Sequence, residues 1–374
     1  KPVTLRVQIP FQKLDAQYTA IQSEIDRAIT AVLTKAQFIG GEPVKQFEQA
    51  FAEKLSAKHC ISTGNGTDSL FLILKALNIK AGDEVITPAF SCMPSAETIC
   101  LTGATPVFCD VDSHYYTIDP KQVKHKITSR TKAVIAVHLY GQAAPVIELK
   151  KICDQHNLFL IEDCAQGHLT KDGDIYAGTV GVAGAFSFYP TKNLGAYGDV
   201  GCVITNNNHL DESIRRLRNH GALIKDDHER EGTNSRMDTL QAAILNVKLN
   251  YLEQWNKRRM ELAQTYIHHL SEVTQIQLPI ARPQSTHTYH LFCIRTQKRD
   301  DLKNYLAGKG IETLVHYPKG LPFTPAYKHL NHIEQDFSVT TLLQNQVLSL
   351  PLYPEIMVHV IDYVGDMILQ FFSH

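Results

Sequence analysis

Between residues 47 and 206, short runs rich in β-branched and aromatic residues alternate with segments whose apolar positions recur every three or four residues. That alternation predicts strands at 59–63, 84–88, 106–111, 133–140, 158–163, 185–189 and 202–205, separated by helices such as 68–77 and 146–156. Pro145 is expected in the first turn of the second helix, where a missing N–H costs nothing. The order is that of an α/β fold, with a mainly parallel sheet flanked by helices. Ahead of it, Tyr18, Ile21, Ile25, Ile29 and Val32 share one helical face, predicting an amphipathic N-terminal helix that packs on the main unit or on a partner.

After residue 206 the pattern changes. SRMDTLQAAILNVKLNYLEQWNKRRMELAQTYIHHL, 235–270, reads as one helical stretch long enough to break in the middle. Pro279 and Pro283 then lead into a strand, YHLFCIRT, a helix, RDDLKNYLAGKG, stopped by Gly308 and Gly310, and a second strand, IETLVHYP. The expected organisation is a large domain, 1–250, that includes the N-terminal helix, and a smaller C-terminal α+β domain, 251–374.

Composition narrows the function classes. At 374 residues the chain can bury a sizeable site, and 37 Lys plus Arg against 38 Asp plus Glu leave no basic excess for nucleic acid or an anionic membrane. Eight cysteines without a CxxC pair read as buried free thiols in a reducing cytoplasm. No apolar run suits a membrane span, and KPVTLRVQIPF lacks a signal-peptide core, so the expected location is cytoplasmic. Among eighteen histidines, His138, His268 and His269 show no carboxylate or cysteine at ligand spacing, so no metal is expected. Arg215, Arg216 and Arg218 read as a solvated helix face, and Trp255 as packing.

Three stretches carry chemistry. In ISTGNGTDSLFL a strand runs through Gly64, Gly66 and Thr67 into a helix, which suits either an anion cradled by free amides or an ordinary glycine turn capped by Thr67 or Asp68. In LFLIEDCAQGH a strand ends on Glu162 and Asp163, where a carboxylate either caps a helix or meets a cation beyond the sheet. In SFYPTKNLGAYGDVG, Lys192 sits between Phe188, Tyr189 and Tyr197 and a patch of glycines. It is either a snorkelling surface lysine or an amine whose desolvation makes it nucleophilic. A phosphate cradle, a strand-end aspartate and a lysine, in that order, are the groups that pyridoxal phosphate requires for its phosphate, ring nitrogen and aldehyde.

With IPFQKL, FIGGEPVKQFEQAFA, GNGTDSL, DEVITPAF, EDCAQGH, FSFYPTKNLGAYGDVG, GTNSRMDTLQAAIL, GIETLVHYP and LSLPLYP in register, the chain resembles the DegT family of sugar-nucleotide aminotransferases, fold-type I pyridoxal-phosphate enzymes, almost end to end. The resemblance implies that Lys192 forms the Schiff base with the cofactor, Asp163 pairs with its ring nitrogen, Gln166 meets its phenolic oxygen and Ala165 packs on one ring face. It also implies a phosphate held by Thr67, by the amides of Gly66, Thr67 and Asp68, by Ser187, and by Asn234 from the other subunit of a homodimer. His316, Tyr317 and Tyr189 would face the sugar. The implied reaction is ping-pong transfer of an amino group from L-glutamate to a keto sugar nucleotide, in deoxyamino sugar, glycan or lipopolysaccharide biosynthesis. The motifs are most similar to enzymes that aminate the 3-keto carbon of a dTDP-linked 6-deoxyhexose. UDP-linked 3-keto uronic acids, 4-keto sugars and a non-catalytic regulator that only binds the cofactor or sugar nucleotide are the alternatives.

Two segments depart from the family pattern. SCMPS places Cys92 where relatives stack an aromatic ring on the cofactor, so that either Phe90 compensates or the stack is absent, and HYPKGLPF carries Lys319, Gly320 and Pro322 in the loop that follows His316 and Tyr317.

Overall fold

The computed structural model describes residues 8–373. Nine strands lie in the first two thirds of the chain: β1 (His59–Thr63), β2 (Glu84–Pro88), β3 (Thr105–Cys109), β4 (Thr131–Val137), β5 (Phe159–Asp163), β6 (Lys171–Asp172), β7 (Ile175–Tyr176), β8 (Ala183–Ser187) and β9 (Gly201–Thr205). Seven form one sheet in the order β1-β9-β8-β5-β4-β2-β3, and β6 and β7 make a separate hairpin. Only β9 runs against its neighbours; the remaining pairs are parallel. The carboxyl ends of β1, β8, β5, β4 and β2 therefore share one edge, where ligands collect in open α/β sheets.

The helices that cover this sheet are α1 (Leu14–Lys35), α2 (Glu42–Lys54), α3 (Gly66–Ala76), α4 (Pro94–Leu101), α5 (Pro120–Lys126), α6 (Val146–Gln155), α7 (Asn208–Leu217) and α8 (Thr239–Leu249). The amphipathic stripe of α1 is used inward: Ile21, Ile25 and Val32 are buried, and Ile21 and Ile25 pack with Ile244 and Trp255. The long stretch after residue 235 breaks at Asn250 and Tyr251 into α8 and α9 (Leu252–Leu270). The tail adds β10 (Phe292–Arg295), α10 (Arg299–Gly308), α11 (Ser338–Gln346), β11 (Val347–Leu350) and α12 (Val358–Phe372). Leu262, Tyr266, Phe292, Leu306, Leu350 and Ile361 are among the side chains of a second apolar core built by α9, α10, α12, β10 and β11.

Several expectations are corrected. IETLVHYP is not a strand: Ile311 bridges to Ile9 and Leu314 to Ser349, single pairings on different neighbours that leave no continuous ladder. The place beside β10 is taken by β11. Pro145 stands one position outside α6, as its N-cap residue. Gly308 is still helical, and α10 stops at Lys309 and the left-handed Gly310. Strand β4 ends at Val137 because residues 139–141 turn into a short 3-10 helix. Six cysteines are buried, but Cys92 and Cys100 are exposed.

The arginines of α7 are not a uniformly solvated face. Arg215 and Arg218 turn inward and pair with Glu48 of α2, each at 2.9 Å. Glu48 also accepts from the amide and hydroxyl of Ser62 at 2.9 and 2.7 Å. Burial disfavours its charge, yet Arg218, Arg215 and the Ser62 bonds outweigh burial and hold its carboxyl below the usual range. A lowered folded-state value stabilises the fold above the unfolded value of about 4.3 and loses that contribution as pH falls through the folded value. Glu48→Gln is therefore expected to flatten the loss of thermal stability between about pH 5 and pH 3, measured by melting against pH, while lowering stability near neutrality.

Candidate functional site

Every strand of the shared edge delivers a group to one cavity of about 270 Å³, lined among others by Gly66, Thr67, Ser91, Cys92, Asp163, Ala165, Gln166, Ser187, Tyr189 and Lys192. Behind β1, Asn65 rather than Thr67 or Asp68 caps α3, its side chain accepting from the Asp68 amide at 2.7 Å. This corrects the expectation for Asp68: its amide is taken, its carboxylate receives the Ser235 hydroxyl at 2.6 Å, and it does not line the cavity. The Gly66 and Thr67 amides begin the helix and have no intrahelical acceptor. A Cβ on Gly66 would lie 2.6 Å from Ser187 Cβ, and one on Gly201 would lie 2.5 Å from the Asn65 carbonyl, so both glycines are needed for this close approach. Ser187 closes the cradle from β8.

At the end of β5, Asp163 is buried and one carboxylate oxygen accepts the Ala165 amide at 3.1 Å. Burial pushes its carboxyl up, countered by that amide, Lys192 and His138. Its neighbour Glu162 points to the opposite side of the strand. There it accepts the amides of Gly178, Val180 and Gly181 at 2.7 to 2.9 Å and pairs with His138 Nε2 at 3.0 Å. His138 Nδ1 accepts the Ala144 amide, so Nε2 is the donor to Glu162. His138 thus has the carboxylate partner that its spacing did not reveal, and His269 has two, Asp362 and Asp366. His138, Glu162 and Cys164 bring ligand-type atoms within 4.8 Å of one another. The Glu162 oxygens, however, are committed to four donors, which makes the group a buried post beneath Asp163. The tie is direct: the His138 amide donates to the Asp163 carbonyl at 3.0 Å.

Lys192 follows β8 in a turn closed by its own amide on the Tyr189 carbonyl at 2.8 Å. Burial lowers its ammonium below the ordinary lysine range, opposed by Cys92 and Asp163. A second buried lysine, Lys248 of α8, escaped the sequence reading because it lies in a regular helix. Its ammonium, lowered to about 8 by burial, donates to the Gly195 carbonyl at 2.6 Å and is outside the cavity lining. Lys248 braces the lysine loop, and Lys192 is the amine that opens on the cavity.

Gln166 is held at both ends of its amide. Oε1 accepts from the Tyr140 amide at 2.6 Å and Nε2 donates to the Tyr317 hydroxyl at 3.1 Å, leaving one N–H free. Tyr317 therefore reaches the site through Gln166, while His316 turns away to Ser349 at 2.9 Å and is lowered to about 4 by burial and by Lys192. Neither lines the cavity; Tyr189, half exposed, does. Phe90 is in the core and packs edge-on against Tyr317 at 6.4 Å, so it does not substitute for the ring missing at Cys92. The divergent loop is packed down on the same segment, with the Leu321 amide on the Ala89 carbonyl at 2.8 Å and the Gly320 amide on Gln344 at 2.9 Å. Lys319 remains exposed. Asn234 is exposed, bridged to Asn219, and far enough from this chain's own cavity not to line it.

Sequence reasoning missed several lining residues, including Ser91 and Asp199. Ser91 is 3% exposed, and its hydroxyl has no partner although it faces the cavity. A buried hydroxyl is rarely left unpaired without a ligand to meet it. Together with the free amides, the glycine-lined cradle, the buried aspartate and the desolvated lysine, it makes a donor set that fits pyridoxal phosphate.

Comparison with known proteins agrees. The profile of the DegT/DnrJ/EryC1/StrS aminotransferase family matches residues 19–369. The erythromycin biosynthesis sensory transduction protein EryC1 of Saccharopolyspora erythraea is 41% identical over 96% of this chain and 98% of its own. The dTDP-3-amino-3,4,6-trideoxy-alpha-D-glucose transaminase of Streptomyces venezuelae is 39% identical over 96% of each. The crystal structure of S. venezuelae DesV superposes with a TM-score of 0.96 at 38% identity, covering 98% of this chain and 99% of that one. Among the described residues no helix is long and apolar enough to cross a membrane. The chain belongs to the DegT/DnrJ/EryC1/StrS aminotransferase family, and it is a pyridoxal-phosphate-dependent sugar-nucleotide aminotransferase of fold type I.

Proposed function

We propose that this enzyme transfers the amino group of L-glutamate to the 3-keto carbon of a dTDP-linked 3-keto-6-deoxyhexose. The observation that carries the reading is the convergence of Lys192 and Asp163 on one cavity at the carboxyl edge of the sheet, in a chain similar throughout its length to a dTDP-3-amino sugar transaminase. Pyridoxal phosphate bound there supplies an electron sink through which an amino group passes between carbons. The chain's own residues do the rest. Lys192, whose ammonium burial disfavours, would hold the cofactor through its amine and would be the group placed to move a proton at the reacting carbon. Burial raises the carboxyl of Asp163, and a cation beside it would offset that cost, so it would suit a protonated ring nitrogen. The remaining N–H of Gln166 would be available to the phenolic oxygen, and Ala165, which lines the cavity, would pack against the ring. Gly66, Thr67 and Ser187 take the phosphate from this chain, and Asn234 of the partner subunit completes the set in a homodimer. Tyr189 stands at the mouth, on the side open to a sugar nucleotide. Buried free thiols and balanced charge support a cytoplasmic enzyme of glycan biosynthesis.

The test is glutamate-dependent amination of a panel of dTDP-3-keto, UDP-3-keto and 4-keto sugars, with products identified by mass spectrometry and NMR. Amination of the dTDP-3-keto-6-deoxyhexose at the highest kcat/KM is expected. Turnover of 4-keto sugars alone would overturn the positional assignment. A loaded enzyme whose visible colour responds to no amino donor would indicate a binding protein instead.

A further inference from the structure

The residue after the nucleophile is more firmly held than the nucleophile itself. Asn193 is 2% exposed, and three of its four side-chain hydrogen-bonding directions are filled. Its Nδ2 donates to Asn256 Oδ1 of α9 at 2.8 Å and to the Thr288 carbonyl at 3.3 Å, and its Oδ1 lies 3.1 Å from His290 Nδ1. Since that oxygen can only accept, His290 carries its proton on Nδ1. Asn256, also buried, donates in turn to the His168 carbonyl at 2.9 Å, at the end of the loop that begins with Asp163 and Gln166. Arg259, one helical turn along α9 from Asn256, anchors the other side by donating to the carbonyls of Tyr289, His290 and Leu352. None of these groups lines the cavity.

We propose that Asn193 is the positioning residue for Lys192, and that the buried chain His290–Asn193–Asn256–His168 holds the lysine turn and the aspartate loop in one fixed register. The geometry explains why three polar side chains are kept in an apolar interior, where each would cost stability if left unpaired. It also explains how Lys192 is kept half-buried at the cavity: the turn that carries it is pinned by Asn256, Thr288 and His290. The groups that set its protonation are burial, which disfavours the ammonium, and Cys92 and Asp163, which favour it; Lys192 in turn lowers the imidazoles of His168, His290 and His316. Loosening the pin exposes the amine and raises its protonation pH.

The inference rests on the reading of Lys192 as nucleophile, and the experiment separates the two. Borohydride reduction of the loaded wild-type enzyme and peptide mapping should place the cofactor on Lys192; a different lysine would overturn the functional reading. With the cofactor removed, acylation of Lys192 against pH, followed by mass spectrometry, then reads its protonation directly. Asn193→Ala and Asn256→Ala are expected to lower the neutral fraction of Lys192 at fixed pH about tenfold, one pH unit of displacement, and to speed cofactor loss by a similar factor. His290→Asn, which keeps a donor near the Nδ1 position, should restore most of the wild-type titration, whereas His290→Phe should not. If Asn193→Ala does not fold, Asn256→Ala and the His290 pair decide. Folded variants with a wild-type Lys192 titration, or equal behaviour of His290→Asn and His290→Phe, would overturn the proposal.

Discussion

Lys192→Ala is expected to lower kcat by about four orders of magnitude or more, because under the proposed function one residue would serve as both nucleophile and proton carrier. No other described amine can take its place: Lys248, the other buried lysine of this region, is committed to the Gly195 carbonyl and lies outside the cavity. The assay is glutamate-dependent product formation, paired with the absorbance of the loaded protein. The variant should still bind the cofactor through Gly66, Thr67, Ser187 and Asp163, so that affinity falls far less than turnover. Near-normal turnover would remove Lys192 from the mechanism.

Glu162→Ala is expected to cost about 4 kcal/mol of folding stability, from urea unfolding of the cofactor-free protein. That figure follows from leaving one buried amide, two part-buried amides and the buried His138 Nε2–H without an acceptor, at about 1–3 kcal/mol for each fully buried group before relaxation. Glu162→Gln should be intermediate, since one oxygen survives while the new NH2 faces donors. Both should also weaken cofactor binding through the shift of Asp163, which leans on the same post through the His138 amide. A loss below about 1 kcal/mol for Glu162→Ala would mean that water or a relaxed backbone takes over the role of the carboxylate.

The legible part of this protein lies where local pattern and chemistry coincide. Strand positions were readable in the parallel sheet because doubly covered strands are short unbroken apolar runs between turns, and β1 and β2 fall where the pattern put them. The break between α8 and α9 followed from length alone. IETLVHYP misled because its composition suits a strand, whereas strand status depends on a continuous neighbour, and Ile311 and Leu314 have different ones. The inward turn of Arg215 and Arg218 was hidden for the same reason: their partner, Glu48, belongs to another helix and is distant in the chain. His138 illustrates it again, since its carboxylate comes from the neighbouring strand at a register that no spacing rule encodes.

By itself the sequence determined the fold class, the family and the order of the three groups proposed to meet a pyridoxal cofactor, since each is written in a contiguous motif in which residue type and position are enough. Tertiary structure alone decided which group does what. It engaged the Asp68 amide with Asn65, sent Phe90 into the core, committed Lys248 to a carbonyl, left Ser91 unpaired at the cavity and tied Asn193 to the Asp163 loop. The physical reason is that burial and hydrogen-bond saturation are properties of the space between elements. A side chain is free to act only where the fold has left it a partner short.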